Sequence, residues 1–339
     1  MKESPRKIRI ALPSKGLLAD GSKQLLADVG LPVYNPNPRQ YIAWIQLLPD
    51  VEVIFQRPGD IVISVRDGSV DFGITGRDIY LEKKDSDGKI LELHSQLGFG
   101  KCTLNVIVPD DWQTIDSMAD LKEFQAKTQR SLKVATKFPN LAKEFFHSTS
   151  EIPIEVIQAE GTLEIAPTIG YADLIVDLVS TGTTLRDNRL KKLAGGKILD
   201  SEACLIANRE QLTTNPETLK IATLLLEMIG AYLRGKKNIA IFANVRANNE
   251  EEISEKIFNQ DVIGGLQGPT ISRILTRDQN NFYAIHIVVK KEELYQAIYE
   301  LRKIGGSGVV VSPVNFIFEE QPTEITNMMI ALEKTNGNL

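Results

Sequence analysis

The chain has 339 residues, with 39 Lys and Arg against 44 Asp and Glu, a formal net charge of -5, 42% hydrophobic residues and 6% aromatic ones. At roughly 100 to 200 residues per domain, this length predicts two or three domains with cores of real size. The mild acidity excludes a protein that coats nucleic acid, which needs a broad basic surface; small anionic substrates need only a local cluster of positive charge.

Residues 1–9 are charged and carry neither an apolar leader nor a cleavage site. The most apolar stretch, 219–233, is interrupted by Lys220 and Glu227 and is too short to span a bilayer. No membrane partner and a cytoplasmic address are therefore expected. Cys102 and Cys204 lie far apart and form neither a disulfide framework nor a metal pair, so both read as small buried residues.

In chain order, residues 8–12 read as a strand and 21–29 as a helix ending at Gly30. Further strands are predicted at 51–55, 71–75, 104–108, 132–135, 154–157 and 174–179. Strands alternating with helical segments imply parallel sheets covered by helices, with ligands at the carboxyl ends of strands. Asn215, Pro216 and Glu217 start an apolar helix running to about Leu233, and Arg234-Gly235-Lys236-Lys237 reads as a linker. Beyond it come a strand at 238–245, a helix at 249–259, strands at 269–275 and 282–289, a helix at 291–303 and a strand at 309–318. This β-α-β-β-α-β order is the ferredoxin-like plan. Residues 321–339 read as a frayed tail.

The most informative stretch is 173–186, where an apolar strand delivers Asp177 and then Ser180-Thr181-Gly182-Thr183-Thr184 opens a helix. Backbone N–H groups at such a start, with hydroxyls around them, form an anion cradle. Three or four charge-assisted hydrogen bonds at roughly 1.5 to 3 kcal/mol each give a phosphate a gross attraction of several kcal/mol. The loop lacks the lysine of a Walker-type loop, which favours a phosphate monoester, and Asp177 is placed to accept from the two hydroxyls of a ribose. An ordinary capping turn is the competing reading.

The run 172–186, preceded by Glu164-Ile165-Ala166-Pro167, resembles the signature of the ATP phosphoribosyltransferase family. Pro13-Ser14-Lys15-Gly16, residues 70–78, Phe138-Pro139-Asn140-Leu141, residues 265–272 and residues 304–313 agree with it. The resemblance covers almost everything from Lys7 to about Phe318, and departs at Arg189, where the family commonly has glycine after Asn188. It implies an α/β fold with a two-lobed, periplasmic-binding-protein-like catalytic unit and a C-terminal ferredoxin-like (ACT-like) regulatory domain. The expected boundaries are 1–103 with 195–235 for the first lobe, 104–194 for the second lobe, 236–320 for the regulatory domain and 321–339 for the tail.

The resemblance also implies a reaction. ATP and 5-phosphoribosyl 1-pyrophosphate are joined through N1 of adenine, pyrophosphate leaves, magnesium is required and histidine inhibits. No covalent nucleophile is needed for displacement at the anomeric carbon, so positioning and leaving-group stabilisation should carry catalysis. On this reading Ser180, Thr181, Gly182, Thr183 and Thr184 take the 5-phosphate and Asp177 the ribose hydroxyls. Lys15 reaches pyrophosphate, Glu164 orients substrate, and Arg39, Arg57 and Arg77 receive ATP. Mg2+ needs only one or two carboxylates, so no dedicated protein metal site is expected. Asp78 reads equally as a helix cap. Leu266 and Thr270, with Asn244 and Ser307, are the candidates for inhibitor histidine, and family members of this form are dimers or hexamers. The competing function is a two-lobed cytosolic binding or sensor protein without catalysis.

Overall fold

The computed structural model describes residues 6–37, 39–84, 87–159, 161–180, 182–275 and 281–336. The chain forms two compact units, one of residues 1–223 with 327–339 and one of residues 224–326. In the first unit, β1 (Ile8–Pro13) leads to α1 (Leu17–Asp28), β2 (Val33–Tyr34), β3 (Ile42–Ile45) and β4 (Leu48–Gln56). There follow α2 (Pro58–Arg66), β5 (Phe72–Gly76), α3 (Arg77–Lys83) and β6 (Ile90–His94). The chain then builds a second sheet from β7 (Cys102–Pro109), α4 (Met118–Thr128), β8 (Leu132–Thr136), α5 (Pro139–Phe145), β9 (Ile154–Gln158), β10 (Leu174–Val179), α6 (Thr183–Asp187) and β11 (Leu190–Ser201). It returns through β12 (Ala203–Asn208) and α7 (Arg209–Thr214) to the long helix α8 (Pro216–Lys237).

Seven strands make the first sheet, in the order β2-β3-β4-β1-β5-β12-β6, and five make the second, β11-β7-β10-β8-β9. β1 runs parallel to both β4 and β5, and β10 runs parallel to β8. Both strands are central and apolar, as interior strands of helix-covered sheets must be. These are the two lobes of the expected catalytic unit. The two crossover segments hydrogen-bond to each other: Leu97 N–H donates to the Ala203 carbonyl and Ala203 N–H to the Phe99 carbonyl, both at 2.9 Å. The second sheet extends to Ser201, so the chain re-enters the first lobe after that residue rather than at 195.

The second unit contains β13 (Asn238–Arg246), α9 (Glu250–Phe258), β14 (Thr270–Ile274), β15 (Phe282–Lys290), α10 (Leu294–Lys303) and β16 (Gly306–Pro313). Its antiparallel order, β14-β15-β13-β16, is that of the ferredoxin-like plan. One sheet face buries Ile241, Ala243, Val245, Ile285 and Ile287 with Ile253 and Ile257 of α9 and Ala297 and Leu301 of α10. The last strand starts earlier than the expected 309 because Gly306 and Ser307 pair with Val245 and Asn244; it ends at Pro313, which has no N–H to continue the ladder.

Two expectations fail for identifiable reasons. Residues 234–237 are not a linker but the last turn of α8. Arg234 donates to the Ile317 carbonyl and lies 3.3 Å from Glu319 and 3.5 Å from Glu324. Gly235 is required by close approach, since a Cβ there would lie 2.5 Å from the Asn315 carbonyl oxygen. Residues 321–336 are not frayed either; the remainder of the expected tail, 337–339, lies outside the described residues. Thr323–Asn336 form α11, with Met328 and Leu332 buried and the Ala331 carbonyl accepting from Arg209.

Arg189 occupies the left-handed region, at φ 53°, one residue past the Asn188 cap of α6. That position favours glycine, because an L side chain there costs roughly 1 to 2 kcal/mol. Part of the gain is offset by the larger entropy of glycine in the unfolded chain. Arg189→Gly should therefore stabilise the protein by about 0.5 to 1 kcal/mol in chemical denaturation; a lower midpoint would show that the arginine side chain makes a compensating contact.

Candidate active site

The second lobe presents its loop from the end of β10. Leu174, Ile175 and Val176 are fully buried, and the strand then turns outward to a half-buried Asp177 and an exposed Ser180. Asp177 Oδ1 accepts from the Leu178 N–H at 2.8 Å. Burial pushes the Asp177 carboxyl above its ordinary range; the Leu178 N–H and Lys137 pull it down, and Glu164 adds a smaller upward push. Glu164 stands on a short 3-10 turn, Leu163–Ile165, and so shares the electrostatic surroundings of Asp177. Gly182, at φ 76°, turns the chain into α6, whose first residues are the exposed Thr183 and Thr184. Thr181 lies outside the described residues. Since α6 has only five residues, its dipole is small, and local amides and hydroxyls must supply the donors.

The first lobe presents its groups from the ends of β1 and β4. Ser14 N–H donates to the Gln56 carbonyl at 2.8 Å, fixing the two strand ends side by side. A cavity of about 640 Å³ there is lined by Lys15, Arg39, Arg57, Ser14, Tyr41 and Asp60, among others. Lys15, Arg39 and Arg57 are exposed, and none of the three has an ion-pair partner among the described residues. Three like charges held together with one acid nearby form a site that attracts a polyanion.

Arg77 does not join that cluster. It starts α3, its Nε lies 2.8 Å from Glu92 Oε1, and it lines a different cavity of about 480 Å³ with Ser180, Gly182, Lys101, Thr103 and Lys192. The carboxylate partly neutralises it, and it lines a cavity with Ser180 and Gly182 instead of with the other arginines. Asp78 is not a helix cap. Its carboxyl accepts from Ser201 Oγ at 2.7 Å and is buried.

Sequence reasoning missed Lys137, Lys101 and Lys192. Lys137 had a readable signal, since it directly follows β8 as Lys15 follows β1, at the strand ends where ligands gather. Lys101 and Lys192 lie on crossover and edge segments, where only the tertiary fold brings them to the loop.

In the second unit, Thr270 pairs with His286, while Asn244 pairs with Ser307, whose Oγ donates to the Asn244 carbonyl at 3.3 Å. All are on the sheet face away from α9 and α10. Thr270 and Ser307 sit on opposite edge strands, three strand spacings or roughly 14 Å apart. Leu266 is exposed, and its N–H donates to the Val288 carbonyl, which places it at the Thr270 edge.

Among the described residues, no helix is long and apolar enough to cross a membrane, and no three His, Cys, Asp or Glu side chains gather as a metal cluster. The sequence profile of ATP phosphoribosyltransferase matches residues 57–230, and that of the HisG C-terminal domain matches residues 236–316. The chain is 41% identical to "ATP phosphoribosyltransferase 2, chloroplastic" of Arabidopsis thaliana, over 93% of this chain and 78% of that protein. It is 34% identical to an ATP phosphoribosyltransferase of Methanocaldococcus jannaschii, over 91% of this chain and 99% of that protein. Among solved structures, the ATP phosphoribosyl transferase (HisG:HisZ) complex from Thermotoga maritima has a chain with 24% identity and a TM-score of 0.51, covering 66% of this chain and 98% of its own. With both sequence profiles in order and relatives matched over 78% and 99% of their length, the chain belongs to the ATP phosphoribosyltransferase family.

Proposed function

We propose that the protein transfers the phosphoribosyl group of 5-phosphoribosyl 1-pyrophosphate to N1 of ATP, giving phosphoribosyl-ATP and pyrophosphate in the first step of histidine biosynthesis. The supporting observation is the division of labour within one unit. An uncompensated cluster of Lys15, Arg39 and Arg57 closes one lobe, and a hydroxyl-rich loop beside a half-buried carboxylate closes the other. The cation cluster suits the triphosphate and the departing pyrophosphate; the loop suits a 5-phosphate and Asp177 a ribose.

In this mechanism the bond from the anomeric carbon to the pyrophosphate oxygen breaks as the adenine nitrogen approaches. Positive charge on the sugar is met by Asp177, and negative charge on the leaving oxygens by Lys15 and Arg57. No acid or base with a free-standing role is required, and preorganised charge lowers the barrier. Mg2+, bound mainly by substrate oxygens, would add charge neutralisation at the pyrophosphate. Asp177 and Glu164, two carboxylates in one electrostatic neighbourhood, fit the small protein share of its coordination. The chain mixed with ATP, phosphoribosyl pyrophosphate and magnesium should release pyrophosphate; its absence under every condition would remove the enzyme reading in favour of a binding protein.

Asp177→Asn separates function from stability. Losing charged acceptance from two ribose hydroxyls, at about 1.5 to 3 kcal/mol each, should lower kcat/KM for phosphoribosyl pyrophosphate by about a hundredfold or more. Burial raises this carboxyl in the folded state, so the folded protein binds its proton more tightly than the unfolded chain. Ionised Asp177 therefore destabilises the fold above its folded pKa, and stability returns as pH falls through that value. At neutral pH the Asn variant should melt at or above the wild-type temperature, and the difference should vanish in acid. A lower melting temperature at pH 7 would contradict the assigned desolvation.

For histidine, the reading centres on the Thr270 and Leu266 edge of the regulatory sheet, with Asn244 and Ser307 farther across the same face. Thr270→Ala removes one hydroxyl and should raise the half-inhibitory histidine concentration about tenfold, with the uninhibited rate unchanged. Unchanged inhibition would move the effector site away from this edge.

A further inference from the structure

Helix α3 belongs by sequence to the first lobe, yet its side chains are committed to both. Arg77 N–H donates to the Glu202 carbonyl at 2.9 Å, and Asp78 N–H donates to Ser201 Oγ at 2.9 Å, while the same hydroxyl donates back to Asp78 Oδ1. Both partners lie on the segment that carries the chain from the second sheet back to the first. One residue on, Ile79 packs against the main core of the second lobe and also against the first-lobe cluster of Ile61, Val62, Val65 and Ile206. One turn after Asp78, Glu82 reaches into the second lobe. Its Oε1 accepts from the Asn140 N–H and its Oε2 from the Leu141 N–H, each at 3.0 Å, and the Asn140 side-chain amide donates to the Glu82 carbonyl at 3.0 Å.

Both acids are buried: Asp78 is 4% exposed and Glu82 8%. Removing carboxylates from water is costly, and here Glu82 accepts from two backbone N–H groups and Asp78 from the Ser201 hydroxyl. Burial raises both carboxyls, and the Ser201 hydroxyl and the Asn140 and Leu141 N–H groups oppose that rise. The helix that Glu82 holds begins two residues after Lys137, which acts on Asp177.

We propose that α3 is the pin that sets the angle between the two lobes, and that Glu82 is a positioning residue. By clamping the first turn of α5, it fixes how the Asp177 and Ser180 loop faces the Lys15, Arg39 and Arg57 cluster. Glu82 touches no substrate. Its influence on the reaction rests on the phosphoribosyl-transfer reading; its mechanical role does not.

The test is Glu82→Gln in the full-length chain. The amide keeps the size of the side chain but offers one acceptor oxygen to two N–H donors, leaving one without a partner. Hydrogen exchange of Asn140 and Leu141 should accelerate while β7 and β8 keep wild-type protection. Because misplacement of reacting groups by an ångström can cost two orders of magnitude, kcat should fall by roughly tenfold or more. Ribose 5-phosphate, which needs only the second-lobe loop, should bind with wild-type affinity by calorimetry. Unchanged exchange at Asn140 and Leu141 would overturn the clamp whether or not the protein is active. A kcat within twofold of wild type despite faster exchange would overturn the link to catalysis. Ribose 5-phosphate affinity falling in parallel with kcat would make Glu82 a support for the second-lobe fold only. Ser201→Ala, which loosens the other end of α3, gives an independent check: its effect on kcat should combine with that of Glu82→Gln less than multiplicatively, and fully multiplicative losses would count against a shared pin. Absence of pyrophosphate release by the wild-type protein would instead sink the functional reading and leave the exchange result standing.

Discussion

A small apolar cluster under the Ser180 loop is the contact on which the proposed site depends. Leu163, Ala166 and Ala172 from the approach to β10, Ile175 and Val179 from the strand, Leu185 from α6 and Leu190 from β11 meet there with Ile107 and Ala135. Every second-lobe segment that carries a proposed ligand group contributes a buried side chain to this cluster. The 3-10 turn that holds Glu164 is anchored by Leu163, the hydroxyl turn by Val179 before it and Leu185 after it. Removing a large side chain from so dense a packing leaves a cavity that costs a few kcal/mol, and the loss would be expressed where the polar groups sit. The loop is thus exposed in its donors and buried in its footing, which lets a connecting segment hold fixed positions.

The net charge of -5 sets the second constraint, because the substrates are polyanions. The fold meets it by leaving some cations unpaired. Arg130 is paired with Asp173 and Arg77 with Glu92, whereas Lys15, Arg39 and Arg57 share one cavity without an ion-pair partner among the described residues. Mutual repulsion of three cations is a cost in the empty protein, small because all three are solvated, and it is relieved when an anion arrives. Arg77 shows why residue type alone could not sort these roles: the carboxylate that neutralises it lies fifteen residues away in sequence and next to it only through the pairing of β12 with both β5 and β6.

What was legible in the sequence follows from whether the information was local. The strand-to-loop passage at Asp177 and the order of strands and helices in the C-terminal domain are local patterns, and they were read correctly apart from a last strand displaced by a few residues. The extension of α8 through Gly235 was not legible, because that glycine serves a close approach by Asn315 rather than a break, and the approach is a tertiary fact. β12 went unnoticed although all six of its residues are buried, and so did β11 before it, whose Lys191, Lys192, Lys197 and Asp200 break the apolar pattern of a strand. The same holds for Glu82, which reads as a helix-surface acid until α5 of the other lobe is placed against it. Family resemblance supplied the roles of the loop residues; it did not separate Arg77 from Arg39 and Arg57, which required coordinates.

Local costs gather around the second-lobe loop. Thr162, just before Glu164, and Arg189, just after α6, both hold left-handed backbone at φ 52° and 53°, each at a cost of about 1 kcal/mol or more. Between them Asp177 is buried enough for its carboxyl to resist ionisation. None of these features helps the chain fold, and each would be removed by a change that improves stability alone: glycine at 189, an amide at 177. Their position on either side of a well-packed apolar footing is the arrangement expected where geometry is held for a ligand against local preference. Arg189 separates the two kinds of cost. It lies past the end of α6, with its carbonyl accepting from Asp110 N–H at the end of the neighbouring strand β7, and no proposed ligand group depends on its side chain. Relief of strain there should leave catalysis untouched, whereas relief of desolvation at Asp177 should abolish most of it. Strain and function therefore share a neighbourhood without being the same thing, and only the buried carboxylate couples the energy of folding to the energy of the reaction.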